Sequence, residues 1–114
     1  MKLKINRKRW FRGKGSEESK LLRAEDRKMC CLGFYLRACG VSVRGLTDET
    51  LPSDMLEDVP KKARWLLKKT NEFENSSDCQ YLIDQNDTEE LNELTREKRI
   101  AARFQKHGVD VEFV

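Results

Sequence analysis

The longest apolar run of the chain, KMCCLGFYLRACG at Lys28–Gly40, restricts its fold more than any other stretch. Read as a helix, this run places an apolar face at spacings of three and four residues. That face holds Cys31, Phe34, Tyr35, Ala38 and Cys39. Leu32 and Leu36 widen it until the segment is apolar nearly all round. Because such a helix is buried on most sides, we predict that it forms the centre of the domain.

One narrow stripe of this helix differs, because it carries small residues and a single cation. The stripe consists of Cys30, Gly33, Arg37 and Gly40. Small residues let another backbone or a ligand approach closely. A cation on an apolar helix must be paired, reach the surface or hold an anion. We expect Arg37 to pair with Asp84 or Asp87, or else to bind an anion; pairing is favoured because buried charges are normally paired.

The composition is that of a soluble protein with a modest core. The chain has 114 residues, and its charged and hydrophobic fractions are 38% each. No apolar run approaches the roughly 18 residues of a membrane span, and the basic start lacks the apolar segment of a signal peptide. We therefore expect one domain over residues 1–114, with the basic segment 1–15 mobile in part. We also expect a cytoplasmic location, no membrane partner and four reduced cysteines.

The net charge of +3 conceals two oppositely charged halves. Residues 1–45 carry 13 basic and 4 acidic residues, whereas residues 46–114 carry 10 and 16. Such a split predicts either internal pairing between the halves or one positive face. A solvated, partly self-neutralised surface is the simpler interpretation.

Five cations surround Trp10 and Phe11 in the segment Arg7–Lys14, RKRWFRGK. Cations interleaved with aromatic rings can grip a phosphate and stack a base. In the alternative, the two rings pack on the core while the cations stay in water. The sequence leaves both alternatives open, because so short a cluster is not specific to nucleic-acid binding.

Alternating residues predict short strands at both ends of the chain, within Met1–Asn6 and Val109–Val114. The side chains expected to face the core are Leu3, Ile5, Val109, Val111 and Phe113. Lys20–Arg23 and Lys28–Cys30 form a predicted hairpin, in which Arg27 stands where a tight turn prefers Gly or Asn. The terminal strands should pair with each other or with the hairpin, and three or more strands make the more stable sheet.

Three further apolar patterns follow the central helix. The first predicts a helix over Pro60–Thr70, with Ala63, Leu66 and Leu67 inward. The second, Cys79–Asp84, fits a short helix or an extended segment. The third predicts either one kinked helix or a turn followed by a helix over Thr95–His107. Residues predicted to cap or end helices are Gly40, Asp87, Glu90, Thr95 and Gly108, and the expected apolar anchors of the connecting stretch are Leu46, Leu51 and Leu56.

These patterns define an α+β class. We predict a single small domain with a central buried helix and two further helices, packed on a small sheet formed by the terminal strands and the N-terminal hairpin.

The cysteines and the histidine do not form a recognisable catalytic or metal pattern. The spacing of Cys30, Cys31, Cys39 and Cys79 fits no structural zinc site, so core packing is expected. His107 is the only histidine and is predicted to have a capping or surface role. The chain also has no P-loop, dinucleotide fingerprint or HExxH motif. We therefore expect no enzyme activity, no metal and no cofactor.

Binding is then the function that the sequence favours. The side chains that we expect to contact a ligand are Arg9, Trp10, Arg12, Lys14, Arg23 and Arg37.

Several segments of the chain resemble a set of small phage and prophage proteins. The segments are LLRAEDRKMCCLGFYLRACG, LP at Leu51–Pro52, VPKKARWLL, LIDQND and REKRIAARFQKHGVDVEFV. Proteins of that set carry a CCLG-type helix, an LP-type linker, an LND-like turn and, in many, a GIEVEFV-like tail. The likeness is sharpest at Cys30–Gly33, at Asn86–Asp87 and in the tail, whereas LIDQND departs from the shorter turn of the set.

The resemblance implies a biological context rather than an activity. It implies a non-enzymatic host-takeover or anti-defence protein that blocks a host defence protein or sequesters a nucleotide-like immune signal. In the second case Arg9, Trp10, Arg12 and Arg37 would surround a pocket for a small phosphorylated ligand, and a homo-oligomer is compatible with this. The alternative is a nucleic-acid-binding accessory protein that uses Arg7–Lys14.

Overall fold

The computed structural model describes residues 1–12, 20–47, 49, 59–67, 69–71, 76–88 and 92–114. Its elements follow in the order β1 (Lys2–Ile5), α1 (Cys31–Ala38), α2 (Val43–Leu46), a 3₁₀-helix (Lys61–Leu67), β2 (Lys69–Asn71), β3 (Ser76–Ser77), α3 (Asp78–Asp87), α4 (Glu93–Gln105) and β4 (Asp110–Phe113). The predicted α+β class is confirmed. Within the described ranges, no helix is long and apolar enough to cross a membrane.

The two terminal strands pair with each other, as predicted. β1 and β4 run parallel, with Lys2 opposite Asp110 and Ile5 opposite Phe113. Leu3 and Ile5 are buried beneath the pair, whereas the alternating lysines are exposed. α1 contacts β1, and α4 contacts β4. The ends of the chain therefore meet on one side of the core.

The predicted N-terminal hairpin forms a turn but no strands. The N–H of Arg23 donates to the carbonyl oxygen of Lys28 at 2.8 Å, and Arg27 takes the left-handed conformation, with φ at +62°. Among the described residues, the sheet of the terminal strands has only those two strands, and β2 and β3 form a separate antiparallel pair. The prediction that the hairpin joins this sheet is wrong.

Backbone bonds to other segments explain why the hairpin does not continue into strands. The carbonyl oxygen of Met29 accepts the Phe11 N–H at 2.7 Å, and the Met29 N–H donates to the carbonyl oxygen of Arg9 at 3.0 Å. The facing arm is used as well, because Leu22 forms a bridge with Thr47. Each arm therefore pairs with a different part of the chain.

α1 is buried as predicted, but its apolar face is rotated from the expected one. Leu32 and Leu36 are completely buried, and Tyr35 is nearly so. Phe34 is half-buried, and Ala38, which was expected to face inward, is exposed. The helix ends at Ala38, and a single methyl group costs little in water, so nothing favours its burial.

Gly33 is the point where another backbone approaches α1. A Cβ atom at Gly33 would lie 1.9 Å from the carbonyl oxygen of Leu21 and 2.9 Å from the Cβ of Met29. The close approach predicted for the small stripe is confirmed here, and the neighbour is backbone. Only glycine fits at this position without displacing the segment that carries Leu21.

α1 and α4 end in the same way, at the two glycines predicted to stop them. Gly40 and Gly108 take φ values of +102° and +77°. In each case the following valine, Val41 or Val109, donates its N–H to the carbonyl five residues back, at 3.0 and 3.1 Å. This is the Schellman arrangement, in which the buried valine covers the last turn.

The helix predicted over Pro60–Thr70 ends early. The structure shows a 3₁₀-helix over Lys61–Leu67, with Ala63 and Leu66 buried, and then β2. Assigning Lys69 and Thr70 to the helix was therefore wrong. The backbone there bonds to β3 instead.

The region predicted as Cys79–Asp84 adopts the helical alternative, as part of α3. Ser77 caps α3 by accepting the Gln80 N–H, and Asp87 ends this helix instead of opening a capped one. α4 is a separate helix that starts at Glu93, two residues before the predicted start. Its cap is Asn92, whose side chain accepts the Thr95 N–H at 2.8 Å. Glu90, Leu51 and Leu56 lie outside the described residues, whereas the third anchor, Leu46, is fully buried.

Candidate functional site

The aromatic residues of the basic N-terminal segment belong to the core. Trp10 is 3% exposed, and its indole N–H donates to Asn86 Oδ1 at 2.7 Å. Phe11 is buried as well. A buried indole is not available to stack a base, so the core-packing alternative is confirmed for both rings.

Two arginines of the same segment are paired with carboxylates on α4. Arg7 binds Glu97 through two hydrogen bonds, at 2.9 and 2.7 Å. The bond to that carboxylate raises the pKa of Arg7. Arg12 lies 2.6 Å from Glu93, with its guanidinium over the Trp10 ring. Internal pairing between the basic and acidic halves is therefore confirmed at these sites.

Of the other predicted ligand residues in the N-terminal region, one is paired with a carboxylate and another is exposed to solvent. Arg23 pairs with Asp26 and lies 4.1 Å over the Phe11 ring. The Arg23 hydrogen bond lowers the pKa of Asp26 to about 2. Arg9 is exposed to solvent. Lys14 lies outside the described residues.

Asn86 is a structural centre that the sequence did not predict. Its Oδ1 accepts the Trp10 indole and, at 3.1 Å, the N–H of Cys31. Its Nδ2 donates to the Phe11 carbonyl and to Asp87, both at 3.0 Å. Because Cys30 supplies no side-chain cap to α1, Asn86 acts as its cap from α3. The resemblance singled out Asn86–Asp87, but it assigned no structural role to the amide.

The four cysteines pack in the core, as predicted, and none is more than 7% exposed. Burial raises the pKa of Cys30 to about 12 and that of Cys31 well above its usual value. Both thiols are therefore protonated at neutral pH and unsuited to nucleophilic work. Within the described ranges, no group of three or more His, Cys, Asp or Glu side chains comes together as metal ligands would.

A second unpredicted cluster joins the start of α3 to the end of α4. The nearly buried Asp78 accepts Arg103 Nη1 at 2.9 Å and lies 3.2 Å from His107 Nε2. The imidazole stacks on Trp65 with 3.9 Å between ring centres. Since Arg103 and His107 are at least 25 positions from Asp78, no local pattern revealed the cluster. It fixes α4 against α3, and His107, which was predicted to have a capping or surface role, lies at the surface against Asp78 and Trp65.

Tyr35 connects this cluster to α1. Its hydroxyl donates to the Lys62 carbonyl at 3.0 Å and accepts the Trp65 indole N–H at 2.9 Å. Burial raises the pKa of Tyr35 to about 12. A hydroxyl held in this way is a structural link rather than a proton donor near neutral pH.

Arg37 lies in a different environment from the predicted cluster. It is exposed at the C-terminal end of α1, and its Nη1 donates to the Val41 carbonyl at 2.8 Å. The expected pairing with Asp84 or Asp87 was wrong, because Arg37 bonds to the turn that follows its own helix. Asn86 and Trp10 meet the opposite end of α1, at Cys31, so Arg37 and Trp10 do not surround one pocket.

An open cleft of about 440 Å³ lies at the turn that follows α1, where Arg37 bonds to the Val41 carbonyl. It is lined by Gly40, Val41, Ser42, Arg44 and Gly45. Ser42 caps α2 by accepting the Gly45 N–H at 3.1 Å, which fixes the loop that forms the cleft. Arg44 is exposed at this loop. The cleft thus has one exposed guanidinium group in its lining, that of Arg44, and a second, that of Arg37, bonded to the backbone of the lining residue Val41.

Comparisons with protein-family models, with curated proteins and with solved structures find no match to this chain.

Proposed function

We propose that the protein is a non-enzymatic binding protein whose Arg37 cleft holds a small phosphorylated ligand. The name denotes the cleft lined by Gly40, Val41, Ser42, Arg44 and Gly45, together with Arg37, which bonds to the Val41 carbonyl. The observation that carries this proposal is a cleft of about 440 Å³ that is lined by the exposed Arg44 and by Val41, whose carbonyl accepts a hydrogen bond from the exposed Arg37. Sites for small ligands have volumes of about 300–1,000 Å³. Arginine is suited to phosphate because its planar fork offers several donors at fixed geometry.

The charges at the cleft differ from those of Arg7 and Arg12 in the N-terminal segment, which are paired with carboxylates. Neither Arg37 nor Arg44 takes part in an ion pair within the described part of the chain. The bond from Arg37 to Val41 uses one of the five N–H donors of a guanidinium. Its remaining donors can bind an oxyanion while that bond fixes the side chain beside the cleft.

In its specific form, the proposal is sequestration of a nucleotide-like immune signal by a host-takeover protein. The resemblance to small phage proteins supports this context, and the cleft supports the small-ligand form over capture of a host defence protein. The potential nucleophiles support the non-enzymatic form, because the thiols of Cys30 and Cys31 are buried and protonated. The imidazole of His107 already contacts the Asp78 carboxylate and stacks on Trp65.

Nucleic-acid binding through Arg7–Lys14 is the weaker alternative. Arg7 and Arg12 are compensated by Glu97 and Glu93, and Trp10 is buried. Counterion release from phosphate contacts requires cations that are not already paired. With two of its cations compensated and its indole buried, the segment should bind single-stranded DNA only weakly.

The experiment that tests the proposal has two steps. Native mass spectrometry of the protein purified from its expressing host would detect a retained ligand and the oligomeric state. Calorimetric titration with AMP, ADP, cyclic AMP and inorganic pyrophosphate would then be compared for the parent chain and for Arg37→Ala and Arg44→Ala. Arg9→Ala is the matched control, because it removes the same charge from an exposed site elsewhere.

We expect at least one of these compounds to bind with a stoichiometry of one per chain, and each cleft variant to weaken binding about tenfold or more. Arg9→Ala should leave the affinity unchanged. The proposal fails if no compound binds. It also fails if all three variants weaken binding equally, because that would indicate general electrostatic attraction. Tight, strongly salt-dependent binding of single-stranded DNA, lost in Arg9→Ala, would establish the alternative.

A further inference from the structure

The ribbon of β1 and β4 directs one set of backbone groups away from itself. The N–H of Asp110 donates to Met1 and that of Val114 to Ile5, at 2.8 and 2.9 Å. The odd-numbered residues of β1 therefore direct their backbone groups toward β4. Because successive residues of a strand alternate, the N–H and C=O groups of Lys2 and Lys4 point the opposite way.

The outer edge of β1 carries no strand in the described part of the chain. The sheet that contains β1 has β4 as its other strand. No backbone bond from any other described segment reaches Lys2 or Lys4. A two-stranded ribbon is only marginally stable in water, and a third strand completes it. The outer edge of β1 is thus a site where an extended segment can add by backbone hydrogen bonding.

The charges of the ribbon show which kind of strand β1 accepts. Lys2 lies opposite Asp110 and Lys4 lies opposite Glu112, and all four side chains are exposed. A groove of about 210 Å³ runs over these two pairs. On the edge of β1 that pairs with β4, the two lysines therefore lie opposite a strand with carboxylates at alternate positions. A strand on its outer side would meet the same two lysines, and acidic residues there stabilise the pairing.

The same lysines act against self-association through this edge. An antiparallel pair of two β1 strands from two copies would place lysines close to lysines, which is unfavourable. A second copy could offer only its acidic β4, and that head-to-tail contact would not close into a dimer. The charge pattern therefore favours a different molecule.

We propose that the outer edge of β1 binds an extended acidic segment of a partner protein, which adds as a third strand beside Lys2 and Lys4. The segment would carry Asp or Glu at every second position, as β4 does, with apolar residues between them. This surface is separate from the Arg37 cleft, so the proposal does not depend on the ligand of that cleft.

The test uses a peptide with the sequence of residues 109–114, VDVEFV, acetylated and amidated. The control peptide, VKVKFV, replaces both acidic residues with lysine. Binding to the full chain would be followed by the amide resonances of residues 1–6 in NMR titrations. Lys4→Pro removes one outward N–H, and Val111→Pro is the matched control because it removes an outward N–H from the opposite edge.

We expect VDVEFV to shift the amides of Lys2 and Lys4, and VKVKFV to bind at least tenfold more weakly. Lys4→Pro should weaken VDVEFV binding about tenfold, and Val111→Pro should not. If Lys4→Pro fails to fold, a quadruple variant that exchanges the charges at Lys2, Lys4, Asp110 and Glu112 replaces it. That variant keeps the internal pairs and should prefer VKVKFV.

Four results would overturn the proposal. The first is that neither peptide binds. The second is that the loss occurs in Val111→Pro instead of Lys4→Pro, which would place the site on β4. The third is that binding depends on the charge of the peptide but is equally strong in Lys4→Pro, or that the quadruple variant still prefers VDVEFV to VKVKFV. The fourth is that sedimentation shows concentration-dependent, head-to-tail oligomers of the protein, which would mean that a second copy binds at this edge.

Discussion

Replacing Asn86 with alanine is expected to remove more stability than any other polar substitution considered for this chain. The change deprives three core groups of their partner: the Trp10 indole N–H, the Phe11 carbonyl and the Cys31 N–H. The amide is fully buried, so water does not readily replace it. Each buried group left without a partner costs about 1–3 kcal/mol.

The loss for Asn86→Ala should be about 4 kcal/mol, because relaxation at the site recovers part of the sum. That is a large fraction of the roughly 5–15 kcal/mol that stabilises a domain of this kind. Asn92→Ala is the matched control, since it removes the same amide from an exposed helix cap. Loss of an N-cap costs about 1 kcal/mol. The two variants should therefore differ by about 3 kcal/mol.

Equilibrium unfolding in urea at pH 7, followed by tryptophan fluorescence, measures both losses. With a slope of about 1–3 kcal/mol per molar, the midpoint of Asn86→Ala should fall by more than 1 M. The fluorescence of the native state should also shift, because Trp10 loses its hydrogen bond. If Asn86→Ala costs no more than Asn92→Ala, Asn86 does not join α1, α3 and the N-terminal segment in the way described.

Three further predictions follow from single contacts. Gly33→Ala should lower stability by about 3 kcal/mol or prevent folding, because its Cβ meets the Leu21 carbonyl oxygen at 1.9 Å; a melting temperature close to that of the parent chain would contradict this. Asp26 has a pKa lowered to about 2, so its contribution is present above about pH 4 and lost as the pH falls toward 2. Since the pair is partly exposed, that contribution to the free energy of unfolding should stay below about 1 kcal/mol. The difference between the urea midpoints at pH 6 and pH 2 should therefore be smaller in Asp26→Asn than in the parent chain. The thiol of Cys30, with a pKa of about 12, should not react with a disulfide reagent at pH 8 until urea unfolds the chain, and rapid labelling of the native protein would refute its burial.

Sequence periodicity predicted the parts of this fold that depend on local pattern. The alternation around Leu3 and Ile5 placed β1 correctly, and glycine at positions 40 and 108 marked the ends of α1 and α4. These features depend on residues within a few positions of one another. Local pattern also predicted that α1 is buried. It assigned Phe34 and Ala38 to the inward face, whereas Leu32 and Leu36 are the completely buried side chains.

The contacts that bury Trp10 and neutralise Arg7 in the N-terminal segment are long-range, and no local sequence pattern predicted them. Trp10 and Asn86 are 76 positions apart, and Arg7 and Glu97 are 90 apart. The sequence suggested internal charge pairing in general but not which cations it would neutralise. Arg37 was predicted to pair with Asp84 or Asp87, whereas its side chain reaches the surface and bonds to the Val41 carbonyl.

The measurement that tests the central claim most directly is an NMR titration of the isotopically labelled chain with a phosphorylated ligand found by the calorimetric screen. A ligand in the cleft should shift the amide resonances of Gly40, Ser42 and Gly45, and Arg37→Ala should remove most of these shifts at the ligand concentration that half-saturates the parent chain. The rest of the spectrum, including the amides of residues 7–12, should stay unchanged. Shifts confined to residues 7–12, or shifts at the cleft that persist in Arg37→Ala, would contradict the assignment of the Arg37 cleft as the binding site.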